Sequence, residues 1–190
     1  TAVTVRSASR AVSPVIANIL MVAIVVILAT TVSGFALGFV DDVSQPAPVV
    51  GQSAGTLEPN PPGTGSDSGL VSIRHEAGDT IRTVDMKVIV DATDACGKRG
   101  RLVNLPVDGY GGKAIGAVNI EGDDIFDERP PYFGGPEYSA LHRATYSAGD
   151  EIRFRIPNTD CQIRDGDRVT VRVVHTPTNS VIIKRTLTAR

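Results

Sequence analysis

The sequence contains no tryptophan, only two cysteines and no long run of basic residues among its 190 positions. The cysteines, Cys96 and Cys161, lie far apart in the chain, which excludes a zinc site of the CxxC type. The formal net charge is −2, and without a polybasic tract this disfavours nucleic acid as a partner. Residues 1–40 hold two arginines and no acidic residue, so residues 41–190 carry 17 basic and 21 acidic side chains. We therefore expect a mildly acidic, soluble region after residue 40.

Signatures of catalysis are also missing. The three histidines, His75, His142 and His175, lie on or beside predicted strands, with no nucleophile or carboxylate at a recognisable motif spacing. We interpret them as ordinary surface or packing residues. The sequence therefore predicts no enzyme, no catalytic residue and no cofactor.

Two loop segments have the composition of a ligand site without its spacing. The first is an acidic cluster that comprises Asp123, Asp124, Asp127 and Glu128. It offers oxygen ligands for calcium but lacks the spacing and the glycine of an EF-hand loop, so we expect a solvated loop and no metal site. The second, Gly-Tyr-Gly-Gly at 109–112, has no following helix or lysine to complete a phosphate cradle, and a turn is predicted there.

A Pro/Gly-rich segment carries a group of aromatic side chains at Tyr132, Phe133 and Tyr138. Aromatic residues in a loop either form an adhesive surface or cover the edge of a folded core. We favour the second interpretation, because large aromatic rings contribute most when they are buried.

The longest apolar run extends from Ala11 to Val40 and contains no Asp, Glu, Lys or Arg. As a helix this run would be roughly 45 Å long, more than the ~30 Å hydrocarbon core of a bilayer. A cleaved secretory signal has an apolar region of only about 7–15 residues, followed by a small-residue cleavage site. The run is therefore predicted to be a membrane-spanning helix and not an ordinary signal peptide.

Charged residues beside the apolar run indicate its orientation. Arg6 and Arg10 precede the run, whereas Asp41 and Asp42 follow it. Basic residues near a span stay on the cytoplasmic side, so the N-terminus is predicted inside the cell and the rest of the chain outside.

The outward orientation gives the two cysteines an oxidising environment. A disulfide between Cys96 and Cys161 would close a long loop and contribute about 4 kcal/mol in the chain-entropy model. The alternative is two buried free thiols, because the sequence does not give the separation of their Cα atoms.

The composition changes twice after the apolar run. Residues 41–69 are dense in Pro, Gly, Ser and Thr and show no apolar period, so they are predicted to be a linker. From residue 70 onward, apolar and polar residues alternate. About 120 residues of this kind suffice for one domain with its own core.

Alternation with a period of two predicts several strands. One segment, 80–91, is predicted to direct a single apolar set inward: Val84, Met86, Val88 and Val90. Another, 151–157, alternates Ile152, Phe154 and Ile156 with charged residues. Residues 168–188 predict a terminal hairpin with its turn near Thr176–Ser180.

Three shorter candidate strands bring the total to six or seven: Leu70–His75, Arg101–Val107 and Lys113–Ile120. No amphipathic helix pattern of ten or more residues follows Val40. Several short strands with turn signals and no helices between them predict an all-β antiparallel sandwich of the Ig-like type. The predicted architecture is a long N-terminal apolar α-helix, a linker and a β head.

The segment RAVSPVIANILMVAIVVILATTVSGFALGFVDD resembles the N-terminal region of archaeal type IV pilins, particularly those of halophilic archaea. Two later segments, VSIRHEAGDTIRTVDMKVIV and GDRVTVRVVHTPTNSVIIKRTLT, are similar to head segments of the same family. This chain has Ala17 and Asn18 where family members usually carry Gly and Val.

The resemblance implies a maturation pathway. A prepilin peptidase would cleave between Arg10 and Ala11 on the cytoplasmic side and leave the apolar helix in the mature protein. The precursor would lie in the cell membrane with its head outside, and a membrane platform with its ATPase would assemble subunits into a helical filament. The implied parts are a leader at 1–10, the helix at 11–40, the linker at 41–69 and an extracellular head at 70–190.

A helix that is apolar on all sides must be surrounded by lipid or by other apolar helices, and copies of itself satisfy this need. Gly34 and Gly38 lie four residues apart on one helix face, where they would permit close helix approach. Alternatively, these small residues only loosen the end of the helix, since a single GxxxG pattern is a weak signal.

Two functions from different classes follow. The first is a structural subunit of a surface filament that serves adhesion. The second is a membrane-anchored protein that keeps its helix in the bilayer and binds an extracellular ligand with its head alone. A mature chain that begins at Ala11 would support the first function, and an intact leader would support the second.

Overall fold

The computed structural model describes residues 14–40, 46–60, 68–107, 115–128 and 139–190. The chain divides into two compact units, Thr1–Gln45 and Pro46–Arg190. Three of the sequence predictions lie outside the described residues: the Arg10–Ala11 cleavage site, the Gly109–Gly112 turn, and the aromatic group at Tyr132, Phe133 and Tyr138.

The first unit contains helix α1, which spans the 27 residues of Pro14–Val40 and is therefore roughly 40 Å long. Proline suits its first position because the missing N–H is not needed in the first turn of a helix. By length and composition, Pro14–Gly34 is apolar enough to cross a membrane, and it is the one such helix in the described part of the chain. The predicted apolar helix is confirmed.

The second unit is built from strands. Their bounds are β1 Val50–Pro59, β2 Ser68–Gly78, β3 Ile81–Arg82, β4 Met86–Ala92, β5 Lys98–Leu102, β6 Ile120–Gly122, β7 Thr145–Tyr146, β8 Glu151–Pro157, β9 Arg168–His175 and β10 Ser180–Thr188. A short helix, α2, occupies Thr93–Cys96, and 3-10 turns lie at Thr83–Asp85, Ala117–Asn119 and Ala140–His142.

Two antiparallel sheets share the core. One has the strand order β1-β2-β8, and the other has the order β10-β9-β4-β5-β6. If these eight strands are lettered in chain order as A, B, C, C′, C″, E, F and G, the sheets read A-B-E and G-F-C-C′-C″. This is the strand arrangement of an immunoglobulin-like sandwich, which confirms the predicted fold class.

The core lies between these sheets and follows the alternation of the sequence. On β4 the buried set is Met86, Val88, Val90 and Ala92. Phe126 and Phe154 meet edge to face with their ring centroids 5.5 Å apart. Full burial of side chains of this size contributes roughly 1.5–3 kcal/mol each. All the described core residues belong to Pro46–Arg190, so this unit holds its own core.

The prediction that residues 41–69 form a linker is wrong for β1, which pairs with β2 from Val50 to Pro59. Strand β1 is exposed along most of its length and buries only Leu57, so it lacks the apolar alternation that identifies a strand. A Cβ at Gly55 would lie 2.7 Å from Leu187 Cδ2, so the small residues let β10 approach. The head therefore begins at Pro46 and not at residue 70.

Three further strand predictions need correction. Segment 80–91 is broken by the 3-10 turn at Thr83–Asp85, which buries Thr83 and leaves Val84 62% exposed, the reverse of the prediction. Strand β5 ends at Leu102 and does not continue to Val107. In the described part of 113–120, a 3-10 turn stands where a strand was predicted. A local turn changes which residues face the core. A search for apolar residues at every second position does not detect this change.

The predictions for the C-terminal third are confirmed. Strand β8 covers Glu151–Pro157 and buries Ile152, Phe154 and Ile156. Strands β9 and β10 form the terminal hairpin around the turn that follows His175.

The structure joins Cys96 and Cys161 in a disulfide with Cα atoms 5.5 Å apart. Cys96 ends α2, directly after β4 of the five-stranded sheet, and Cys161 lies in the loop that follows β8 of the three-stranded sheet. The bond therefore links the two sheets covalently, at a place different from the B–F bridge of antibody domains.

Candidate assembly helix and head surface

Every described side chain of helix α1, from Pro14 to Gly34, is exposed within this chain. The large residues among them are valine, isoleucine, leucine and methionine, with exposed fractions of 52–68%. No side of the helix is polar, so this surface needs an apolar environment all around it.

The polar residues of α1 differ in how they are satisfied. The hydroxyl groups of Thr30 and Thr31 donate to the carbonyl oxygens of Ile27 and Leu28, at 2.8 and 2.9 Å. These bonds within the helix let the threonines enter an apolar environment at low cost. Asn18 has no hydrogen-bond partner in the part of the chain that the structure describes, and its side chain is exposed. In apolar surroundings its amide therefore requires a partner from another molecule.

A Cβ atom added at Gly34 would meet no other atom within 4 Å. A larger side chain there is sterically free within this chain. The backbone of Gly38 also belongs to α1, while its surroundings lie outside the described residues.

The three histidines occupy three different elements. His75 on β2 is fully buried, with its ring centroid 5.2 Å from that of Tyr146. His142 lies in a 3-10 turn, and at the end of β9 the His175 Nδ1 is 2.8 Å from the Thr178 hydroxyl. The Tyr146 hydroxyl donates to the Ile73 carbonyl at 3.1 Å, and burial raises the pKa of this phenol. The His75–Tyr146 contact describes packing within the core.

The acidic cluster follows β6. Asp123 Oδ2 accepts the Arg99 backbone N–H at 2.7 Å, and Asp124 Oδ1 accepts the N–H of Phe126 at 3.4 Å. Asp123 therefore holds the loop against β5, and Asp124 bonds within the loop itself.

The outer face of the five-stranded sheet carries six cationic side chains: Lys87, Arg99, Arg101, Arg168, Arg172 and Lys184. We call this set the basic sheet face. It arises because the polar half of each alternating strand points away from the core, and on these strands that half is rich in Lys and Arg.

Asp91 is the best-connected carboxylate on this face. The Thr93 hydroxyl donates to its Oδ1 at 2.6 Å, and Arg99 Nη2 donates to its Oδ2 at 2.7 Å. Hydrogen bonding by Thr93 lowers the pKa of Asp91 most, and the Arg99 guanidinium adds to this against the opposing effect of partial burial.

Replacing Asp91 with Asn should lower the melting temperature at neutral pH, with a difference that depends on pH. A lowered carboxyl pKa stabilises the fold above the ordinary aspartate value of 3.8, and this stabilisation is lost as the pH falls through the folded pKa. The difference between wild type and Asp91→Asn should therefore be constant from pH 5 to 7 and shrink below about pH 4. Thermal unfolding of both proteins across this range measures it, and an undiminished difference at pH 2–3 would refute the ionic role of Asp91.

Two comparisons with known proteins match parts of the chain. A profile of the archaeal type IV pilin N-terminal family matches residues 10–51, which include helix α1. An uncharacterized protein of Archaeoglobus fulgidus is 35% identical over 119 residues, a region that covers 56% of this chain and 79% of that protein. The similarity thus reaches beyond the helix.

Proposed function

The chain belongs to the archaeal type IV pilin family, and from this premise we propose that it polymerises through helix α1 into a surface filament used for adhesion. The family is one of structural subunits and not of enzymes. The observation that carries the proposal is the helix itself, which exposes apolar side chains on every described side. A bundle of identical helices covers such a surface completely.

Asn18 favours a helix bundle over a permanent place in lipid. Hydrocarbon offers its side-chain amide no hydrogen-bond partner, whereas neighbouring helices carry hydroxyl groups and carbonyl oxygens that can pair with it. A static membrane anchor would bear the full cost of this unpaired amide.

In the proposed pathway the precursor is inserted with Arg6 and Arg10 on the cytoplasmic side and the head outside the cell. Prepilin peptidase cleaves between Arg10 and Ala11, and an assembly platform driven by its ATPase extracts the helix from the membrane. In the filament the helices form the core, and the β heads face water. The chain is thus a membrane protein as a precursor and an extracellular one after assembly.

Immunogold electron microscopy with an antibody against the head tests this proposal. We expect labelled filaments on wild-type cells and none on cells that lack the chain. Label confined to the membrane, with no filaments, would instead support the anchored ligand-binding protein.

Replacing Gly34 with Leu should leave insertion and cleavage normal and reduce filament number severely. The added side chain meets nothing within its own chain, so any loss of assembly reports packing between copies. Filament counts by electron microscopy, alongside membrane fractionation of the same cells, measure the effect. Gly38→Leu should behave alike if the two glycines share an interface.

The matched control is Gly34→Ala, which keeps the residue small and should assemble at near wild-type levels. Wild-type filament numbers from the Gly34→Leu/Gly38→Leu double variant would show that these glycines are not packing contacts. That result would leave the filament proposal itself intact.

A further inference from the structure

Positive charge is concentrated on one face of an otherwise acidic head. The basic sheet face has six cations, and three carboxylates lie within ion-pair reach of it: Asp91, Asp94 and Glu121. The rest of the head, residues 46–190, carries 11 basic and 16 acidic side chains. The charges are thus segregated, and segregated charge creates a local potential that attracts the opposite sign.

The carboxylates do not neutralise this face. Arg99 lies 2.7 Å from Asp91, Arg101 lies 3.6 Å from Glu121, and Arg168 lies 4.0 Å from Asp94. Arg172 lies 3.9 Å from the same Asp91 carboxylate, which already pairs with Arg99. Among the described residues, Lys87 and Lys184 have no ion-pair partner. Three positive charges therefore remain uncompensated.

One pair of cations on this face is unfavourable for the sheet itself. Lys184 and Arg172 are direct cross-strand partners, and like charges in that position destabilise a sheet. Two residues further along the same two strands, the cross-strand pair is uncharged. There the hydroxyl groups of Thr170 and Thr186 lie 3.0 Å apart as a hydrogen-bonded pair. A like-charged cross-strand pair in which Lys184 has no ion-pair partner among the described residues points to an anionic ligand.

We infer that the basic sheet face binds a linear acidic polysaccharide, a chain of sugars that bear carboxylate or sulfate groups. Lys184, Arg172 and Arg101 lie in one row across the strands, with Ile89 between the two arginines. At ~4.8 Å per strand the row extends roughly 14 Å, long enough to contact several successive sugars.

The chemistry of the face suits this ligand class. Arginine forks bind carboxylate and sulfate groups in a bidentate manner, and the threonine hydroxyls beside them can pair with sugar hydroxyls. Among the described residues the face has no aromatic side chain on which a nucleobase could stack, which disfavours single-stranded nucleic acid. The inference rests on the proposed function in one respect, because assembly into a surface filament would place the head among extracellular polymers.

The test uses the full chain in nonionic detergent, titrated with alginate as the carboxylate probe and dextran sulfate as the sulfate probe. Neutral dextran serves as the uncharged control. Arg172→Gln/Lys184→Gln removes two cations from the face, whereas Arg74→Gln/Arg190→Gln removes two exposed cations elsewhere on the head. Binding is measured by calorimetry at several salt concentrations.

We expect the wild type and the Arg74/Arg190 control to bind at least one polyanion and not dextran. The Arg172/Lys184 variant should bind roughly tenfold more weakly or worse at low salt, and the slope of log K against log salt should fall by about two. No binding of either polyanion, or equal weakening in both variants, would overturn the inference.

The same variants separate this inference from its rivals. If the Arg172/Lys184 variant changes the sedimentation of the chain but not its polyanion binding, the face contacts a second copy and the inference is wrong. Filament number should be unchanged in both variants. If no chain forms filaments while polyanion binding persists, the proposed function fails and the binding site survives.

Discussion

Cells that express Arg10→Glu should accumulate the uncleaved precursor in their membranes and carry no filaments of this protein. Arg10 stands directly before the proposed cleavage site, where the family match also begins. It supplies positive charge on the cytoplasmic side of the span, so a negative charge there removes both the cleavage context and part of the orientation signal. Immunoblots of membrane and filament fractions measure the ratio of precursor to mature chain.

Two matched variants separate cleavage from orientation. Arg10→Lys keeps the charge and should insert normally, so any loss of processing in it reports recognition of the side chain. Arg6→Glu removes a flanking charge away from the cleavage site and should still be cleaved when it is inserted. Mature-size protein in surface filaments from Arg10→Glu would contradict the cleavage assignment.

Removing the disulfide should produce the largest loss of stability. Cys96 and Cys161 are 65 positions apart, and opening a loop of this length costs about 4 kcal/mol in the chain-entropy model. For a head of this size the melting temperature of Cys161→Ser should fall by roughly 10–15 °C. Calorimetry on residues 46–190, the unit that contains the described core, measures the shift.

Reductant provides the control for this experiment. It should lower the melting temperature of the wild-type head to that of the variant and leave Cys161→Ser unchanged. Mass spectrometry of the oxidised wild-type head should detect no alkylatable thiol. Two alkylatable thiols in that sample would refute the bond directly.

The parts of the fold that the sequence predicts are those in which a single pattern continues without interruption. Strand β8 alternates strictly, strand β9 alternates from Arg168 to Val173, and helix α1 is apolar over most of its length. Their types therefore follow from the residues. Strand β1 is not predicted from the sequence because its backbone pairs with β2 while only Leu57 among its side chains is buried. Its stability comes from hydrogen bonds and the approach of β10, neither of which leaves an apolar period.

The candidate sites likewise can be predicted only where they depend on a continuous local pattern. The apolar run identifies the assembly helix from the sequence alone, since hydrophobic length is a local property. The basic sheet face is assembled from β4, β5, β9 and β10, which are neighbours only in the folded sheet. No local window of sequence reveals it, although the Lys and Arg residues at polar positions of these strands are its one signal.

The N-terminal sequence of the chain recovered from purified surface filaments tests the central claim most directly. A subunit that is processed and polymerised through α1 should yield a single sequence that begins at Ala11, AVSPVIANIL. A chain that retains TAVTVRSASR before that point, or that is recovered only from the membrane fraction, would contradict the account.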